Sequence, residues 1–240
     1  MDQCPAHDSA EFDAMASHRE VYMSLVGAFL WLANMTRFEL GYISSQLARF
    51  VSNPARVHFQ AALRVLIYLQ GSKDRVLTFS PCAARPVLRS YVDSDWGTRF
   101  SISGAAFEFM GTLVHWFSKT QRSVSMSSTE AEYFAACVAT REILFFRDLL
   151  ADLGYMQTSP TPLRSDNKGV SDLSFDPVAF KKTKHILRAA EFLRDAVTRR
   201  KVLVSWLSSV DNIADLFTKP VALAVFRHLM LQVLRLRDIP

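Results

Sequence analysis

The chain has 240 residues, room for one large domain or two small ones. Half of it is hydrophobic and 12% is aromatic, which excludes wholesale disorder, while a net charge of +5 is compatible with a nucleic-acid partner without demanding one. Cys4, Cys82 and Cys137 lie far apart and form neither a disulfide framework nor a zinc-ligand spacing, as in a reducing interior.

The opening MDQCPAHDSAEFD is acidic and polar, without the basic and apolar regions of a secretory signal, so residues 1–18 read as a loose, disordered leader. From Arg19 to Phe50 apolar residues recur at helical spacing, up to the turn Ser52-Asn53-Pro54. The apolar run Tyr22–Met35 is shorter than the roughly 20 residues a bilayer crossing takes. It reads as a buried helix, and the protein is expected to be intracellular, cytoplasmic or nuclear, with no membrane partner. A second helix is expected over Pro54–Leu69, opened by Pro54 and stopped by Gly71, and then a short strand over Arg75–Ser80. The prolines of Pro81–Pro86 mark a domain boundary.

Past that boundary the pattern turns to strands. Val87–Trp96, Ile102–Met110 and Thr112–Ser118 are short and rich in β-branched and aromatic residues. A long helix follows over Ser127–Leu153, capped by Ser127 or Ser128 and ended by Gly154. Next come a strand at Thr161–Ser165, a helix from Asn167 and another over Val178–Arg199. Val202–Leu207 is a further strand, Asp211 caps a helix running through Phe217, and Val221–Arg237 forms a last helix. A helical first third followed by βββαβααβα implies an α/β fold, a mixed sheet covered by helices.

A few carboxylates sit where the fold alone would not place them. Asp93 and Asp95 alternate onto one face of their strand, where two like charges repel unless a cation intervenes; a strand end fraying into solvent explains them as well. Glu132 heads the helical stripe Ala135, Ala139, Ile143, Phe146 and Leu150 that should lie on the sheet, although an acid in a first turn also favours the helix dipole, as Glu130 does. Asp166 ends a strand in N-cap position, and Asp215 lies one turn after Asp211, where a solvated helix face would account for it. Together these acids mark strand ends and helix starts that one sheet edge gathers. Hard oxygen donors of this kind select Mg²⁺ or Mn²⁺, and two such ions about 4 Å apart promote phosphodiester hydrolysis. No serine or cysteine triad and no glycine-rich phosphate loop competes.

The strings YVDSDW (Tyr91–Trp96), SISGAAF (Ser101–Phe107), HWFSKTQRSVSMSSTEAEY (His115–Tyr133), SDNKG (Ser165–Gly169), TKHI (Thr183–Ile186) and NIADLFTKP (Asn212–Pro220) resemble the ribonuclease H region of Ty1/copia-type retrotransposon polyproteins. Upstream, YMSLVGAFLWLANMTRFELGYISSQLARFVSNP (Tyr22–Pro54) and the stretch through Ser80 resemble the end of that family's reverse transcriptase, its thumb or connection. The resemblance implies a ribonuclease H-like mixed five-stranded sheet flanked by helices over 87–220. A small helical reverse-transcriptase remnant over 19–80 precedes it, and a C-terminal helix over 221–240 follows. It implies an endonuclease that cuts the RNA strand of an RNA–DNA hybrid with two Mg²⁺ or Mn²⁺ ions, partnered by the hybrid and by the rest of the polyprotein.

The resemblance also assigns residues. Asp93, Glu132, Asp166 and Asp215 become the catalytic, metal-holding carboxylates, with Asp95 the runner-up for the first place. Asp93, Glu132 and Asp166 would hold one ion, and Asp93 with Asp215 the other. Lys119, Arg122, Lys181, Lys182 and Lys184 are phosphate contacts, and His185 an auxiliary for product release or proton traffic, although any of them also fits a solvated surface. Departures from the family pattern are a shortened loop after Trp96, Leu187 and Glu191 in place of an aspartate and a histidine, and TRFEL over Thr36–Leu40. They keep a second reading open, a remnant that binds nucleic acid without cutting it.

Overall fold

In the computed structural model the residues described are Cys4, 15–79, 85–97, 100–170 and 184–234, with the backbone alone for 184–190. The chain divides into two compact units, Met1–Leu77 and Thr78–Pro240.

The first unit is helical: α1 Arg19–Met35, α2 Gly41–Ala48 and α3 Arg56–Gly71. Tyr22, Val26, Phe29 and Ala33 recur on one side of α1 and pack with Leu40, Leu47, Ala61, Ala62 and Val65. The Tyr22 hydroxyl, buried with its ring, donates to the Leu47 carbonyl at 2.8 Å. The single helical run expected over Arg19–Phe50 is instead broken at Thr36–Arg37, and a 3₁₀ turn, Phe38–Leu40, intervenes. Buried polar chemistry accounts for the break. Arg37 turns in to meet Glu39 at 2.7 Å and Ser72 Oγ at 2.6 Å, and the Tyr68 hydroxyl reaches Glu39 at 3.1 Å, so each buried charge has partners. Pro54 stands two residues ahead of α3 rather than at its first position, and the cap is a His58 ring that accepts the Ala55 N–H. The strand expected over Arg75–Ser80 is absent from Arg75–Phe79, which is irregular. A 3₁₀ turn at Ala16–His18, beside a buried Met15, orders the end of the expected leader; apart from Cys4, residues 1–14 lie outside the described residues.

The second unit holds a five-stranded mixed sheet: β1 Leu88–Asp95, β2 Ile102–Phe109, β3 Thr112–Thr120, β4 Thr161–Ser165 and β5 Val202–Trp206, in the order β3-β2-β1-β4-β5. β1 runs antiparallel to β2 and parallel to β4, and β4 parallel to β5. β2 and β3 are joined at Met110-Gly111, both with positive φ, the mirror-image turn that suits the twist of a tight hairpin.

Helix α4, Ser128–Asp152, lies against β1, β2 and β4. Ser127 caps it by accepting from the Glu130 N–H, and Glu130 in turn accepts from the Met126 N–H. Ala131, Ala135, Ala136 and Ala139 are fully buried, and their small side chains let the helix approach the sheet closely. The core between them is Leu88, Val92, Ala105, Phe107, Ile143, Leu163 and Val204. Arg147 ties the far end of α4 to the start of β4, donating to the Ser159 carbonyl at 2.8 Å and to Thr161 Oγ1 at 3.0 Å. Described next are α5 Lys184–Thr198, a 3₁₀ segment Ile213–Phe217 and α6 Leu223–Leu234. Residues 178–183 of the helix expected over Val178–Arg199, and the stretch beyond Val170 of the one expected from Asn167, lie outside the described residues.

One expected cap moves by a residue. Asn212, not Asp211, opens the Ile213–Phe217 segment by accepting from the Ala214 N–H at 3.2 Å. Asp211 is exposed and turns to α6, 3.1 Å from His228 Nε2 and 3.0 Å from Gln232 Nε2.

Candidate metal centre

β1 and β4 run side by side and end at the same edge, so Asp93 near the end of one and Asp166 just past the other come together. Glu132, in the first turns of α4, completes the group. One carboxylate oxygen from each of Asp93, Glu132 and Asp166 lies within 4.8 Å of the others. Asp95 is not in that trio, so the structure separates two aspartates that strand alternation could not.

The fourth acid arrives on the Ile213–Phe217 segment. Gly104 pairs with Asp93 across the ladder, and a Cβ there would stand 2.6 Å from Thr218 Cγ2 and 2.8 Å from Phe217 Cβ. That missing side chain lets the segment settle on β2. It brings Thr218, whose hydroxyl donates to Asp93 Oδ2, and Lys219, whose ammonium stands 3.4 Å from Asp93 Oδ2 and 3.1 Å from Asp215 Oδ1. Asn212, fully buried, holds the other side: its amide donates to the Val92 carbonyl at 3.1 Å and reaches Asp166 Oδ1 at 3.5 Å.

These acids are kept from water. Asp93 is 2% exposed, Glu132 6% and Asp215 5%, while Asp166 is half-buried. Burial, then the charges of Asp93 and Asp166, push Glu132 up to about 9. Burial and Asp93 push Asp215 up to about 7, against the pull of Lys219. Asp166 and Asp95 are raised for the same two reasons, burial first. Glu132 Oε2 is buried with no hydrogen-bond partner. A buried, unsatisfied carboxylate oxygen aimed among like charges is a costly arrangement that a cation would relieve.

Gln121 braces the site from the β3–α4 loop. Its amide stands 2.8 Å from the Ala131 carbonyl, 2.9 Å from Ser103 Oγ and 3.2 Å from Ser94 Oγ, and its oxygen accepts from Ser125. Trp96, half-exposed, donates to the Ser125 carbonyl at 3.0 Å, and Trp206 donates to the Asp166 carbonyl at 3.0 Å. Sequence reading passed over Gln121, Asn212, Thr218 and Lys219. For Lys219 a signal existed: it lies four residues after Asp215, within the NIADLFTKP string.

The expected phosphate contacts divide. Lys119 and Arg122 line a cleft of about 790 Å³ with Gln121, Arg141 and Phe192, and Lys119 also lies 3.8 Å from Glu142. Lys181 and Lys182 fall outside the described residues, as do the side chains of Lys184 and His185. Among the described residues no helix is long and apolar enough to cross a membrane.

No family model matches the chain. It is 32% identical over 204 residues to the retrovirus-related Pol polyprotein of transposon TNT 1-94 from Nicotiana tabacum, a match covering 83% of this chain and 15% of the relative. It is also 32% identical over 211 residues to the Pol polyprotein of transposon RE1 from Arabidopsis thaliana, over 86% of this chain and 14% of that one. A shorter match, 41% identical over 128 residues, covers 52% of this chain and 89% of secreted RxLR effector protein 161 of Plasmopara viticola. The chain thus spans about a seventh of the two polyproteins. Among solved structures, the foamy viral protease-reverse transcriptase in complex with RNA/DNA hybrid superposes with a TM-score of 0.51 at 12% identity, covering 90% of this chain and 28% of that one. The N-terminal ribonuclease H domain of a Mycobacterium tuberculosis protein superposes with a TM-score of 0.42 at 14% identity, over 58% of this chain and 96% of that domain. Over most of its own length the chain is thus similar to the Pol polyproteins of plant and yeast retrotransposons of the Ty1/copia type, and its fold is a mixed five-stranded sheet flanked by helices.

Proposed function

We propose that this chain is a divalent-metal-dependent endonuclease that hydrolyses the RNA strand of an RNA–DNA hybrid during retrotransposon reverse transcription. The observation that carries this reading is the convergence of Asp93, Glu132 and Asp166 within 4.8 Å of one another, with Glu132 Oε2 buried and unpartnered. The donors are all carboxylate oxygens, a hard set that favours Mg²⁺ or Mn²⁺ over zinc. Asp93, Glu132 and Asp166 would hold one ion, and Asp93 with Asp215 a second. Two such ions supply activation of water and stabilisation of charge on the phosphate.

The protein's own side chains do the rest. Thr218 and Asn212 fix the orientation of Asp93 and Asp166, so that their lone pairs are placed before substrate arrives. Burial on β1 and α4 keeps water from solvating the carboxylates and strengthens every interaction made there. Lys119 and Arg122 would contact backbone phosphates, positioning the hybrid without reading its sequence, and Lys182 and Lys184 are further candidates for such contacts. Asp95 would serve as an auxiliary to the main four, and so would His185. The 2′-hydroxyl supplies the means of telling the RNA strand from DNA. The remainder of a reverse transcriptase polyprotein would serve as the partner that delivers the hybrid.

The test is cleavage of an end-labelled RNA–DNA hybrid by the purified chain in Mg²⁺. Cutting of the RNA strand by the wild type and its loss in Asp166→Asn, with an unchanged circular dichroism spectrum, is the expected result. Equal cleavage by both proteins would defeat the assignment, as would no cleavage by the wild type in either Mg²⁺ or Mn²⁺.

A further inference from the structure

Lys219 is a cation placed inside the carboxylate cluster by the chain itself. It lies one turn after Asp215, and Asp93 and Asp215 both take it as an ion-pair partner, at 3.4 Å and 3.1 Å. Its ammonium therefore stands between the two carboxylates that, on the nuclease reading above, share the second ion. Its side chain is 35% exposed, so a solvent route lies open to it, whereas the Asp93 side chain it contacts is 2% exposed.

We propose that Lys219 is a built-in competitor for the second metal position. The resting site then takes one divalent ion, on Asp93, Glu132 and Asp166, and a second enters only as the Lys219 ammonium swings out toward solvent. Two considerations lead there. An ammonium and a divalent ion cannot share the gap between Asp93 and Asp215, because at a few ångströms unlike partners attract and like charges repel by several kcal/mol even when partly screened. Lysine is also suited to leave, being a point charge on a flexible four-carbon stem that needs no fixed hydrogen-bond geometry. Neither Glu132 nor Asp166 is in ion-pair contact with Lys219 among the described residues, so the first position is not contested in the same way.

The inference rests on the nuclease reading, and its test keeps the two apart. Mn²⁺ is titrated into the full chain by calorimetry, and bound ions are counted by electron paramagnetic resonance. The wild type should bind one ion, and a second at least about tenfold more weakly. Lys219→Met, which keeps the length of the stem and removes the charge, should bring the second ion to within roughly threefold of the first, a gain of about 0.7 kcal/mol or more. Lys219→Arg should keep the wild-type pattern. Should the variants fold poorly, mild acetylation of the wild type read by mass spectrometry gives an independent answer: Lys219 should label at least about threefold faster once the second ion is bound. Two ions of like affinity in the wild type, or labelling of Lys219 indifferent to Mn²⁺, overturns the inference and leaves the nuclease reading standing. No Mn²⁺ bound by wild type or variant overturns both.

Discussion

Gly104 stands opposite Asp93 in the β1–β2 ladder, and the side chain it lacks is the space that Thr218 and Phe217 fill. The fourth acid reaches the site only because of that vacancy. A glycine in a strand weakens the strand, and here the loss is repaid by the close approach of a segment carrying Asp215, Thr218 and Lys219.

Gly104→Ala follows from this. The new methyl would sit 2.8 Å from Phe217 Cβ and 3.0 Å from the Ala214 carbonyl, against a backbone that has little room to yield. Overpacking of this kind costs about 1–3 kcal/mol. Urea denaturation should show that loss, and Mn²⁺ affinity should fall with it because the Ile213–Phe217 segment is pushed off β2. A variant as stable as the wild type, with unchanged Mn²⁺ binding, would show that the segment adjusts freely.

The buried carboxylates give the metal-free protein a definite response to pH. Glu132 is pushed up to about 9 and Asp215 to about 7 in the folded state, above their values in an unfolded chain. Between roughly pH 5 and 9 the unfolded chain has released protons that the folded site retains. The contribution of these groups is therefore full at low pH and is lost as pH rises through that window. Lys219, raised as well, stays charged in both states over the same range and adds no slope of its own. Glu132→Gln removes the larger part of the effect, so its stability should fall less steeply with pH and should exceed that of the wild type by at least ~1 kcal/mol at pH 8 in chelator. Added Mg²⁺ should reverse the order, stabilising the wild type by about 2.7 kcal/mol at a hundredfold excess over its dissociation constant and the variant much less. Thermal unfolding with and without Mg²⁺ at several pH values checks both statements.

Much of this architecture was legible in the chain. Short runs rich in β-branched and aromatic residues marked β1, β2 and β3, the Ser127 cap and Gly154 stop bounded α4, and the stripe headed by Glu132 marked the face it buries. What alternation could not do was choose between Asp93 and Asp95, since both satisfy the same period; only the neighbouring β4 and the Ile213–Phe217 segment distinguish them. The helical run through Arg19–Phe50 misled because periodicity registers apolar faces and does not register buried ion pairs, and the Arg37–Glu39–Tyr68 cluster breaks the helix. Asp211 and Asn212 are both good caps by residue type, and the choice depends on which one meets the carbonyl of Val92, 120 residues away in sequence. Lys219 escaped notice for a related reason, because a lysine beside a proline reads as surface until the acids around it are assembled.

Met110 offers a local test of the sheet. It adopts φ 52° at the first position of the β2–β3 turn, ahead of Gly111 at φ 73°. A methionine in the left-handed region costs about 1–2 kcal/mol that asparagine largely avoids. Met110→Asn should raise the unfolding free energy by about 1 kcal/mol. The turn lies at the far end of β2 from Gly104, so hybrid cleavage and Mn²⁺ affinity should not change. A destabilised variant would mean that packing of the half-buried methionine outweighs its backbone strain.

Asn212 joins stability to the site most directly. It is fully buried, caps the Ile213–Phe217 segment through Ala214, and donates to the Val92 carbonyl beside Asp93 and toward Asp166. Asn212→Ala loses the cap and leaves buried polar groups without a partner, a combined cost of about 2 kcal/mol. Asn212→Asp separates the two functions, because it keeps an oxygen for the Ala214 N–H but replaces the amide donor with a charge facing Asp166. The new carboxyl would be held protonated in the fold by burial and by Asp166, so its penalty should grow as pH rises above the ordinary aspartate range. Urea denaturation at about pH 7 should find Asn212→Asp less stable than Asn212→Ala, and at about pH 4 the difference should shrink or change sign. If Asn212→Asp matches the wild type at neutral pH without metal, the carboxylates around it are already neutralised, and the pressure for a bound cation at this site is absent.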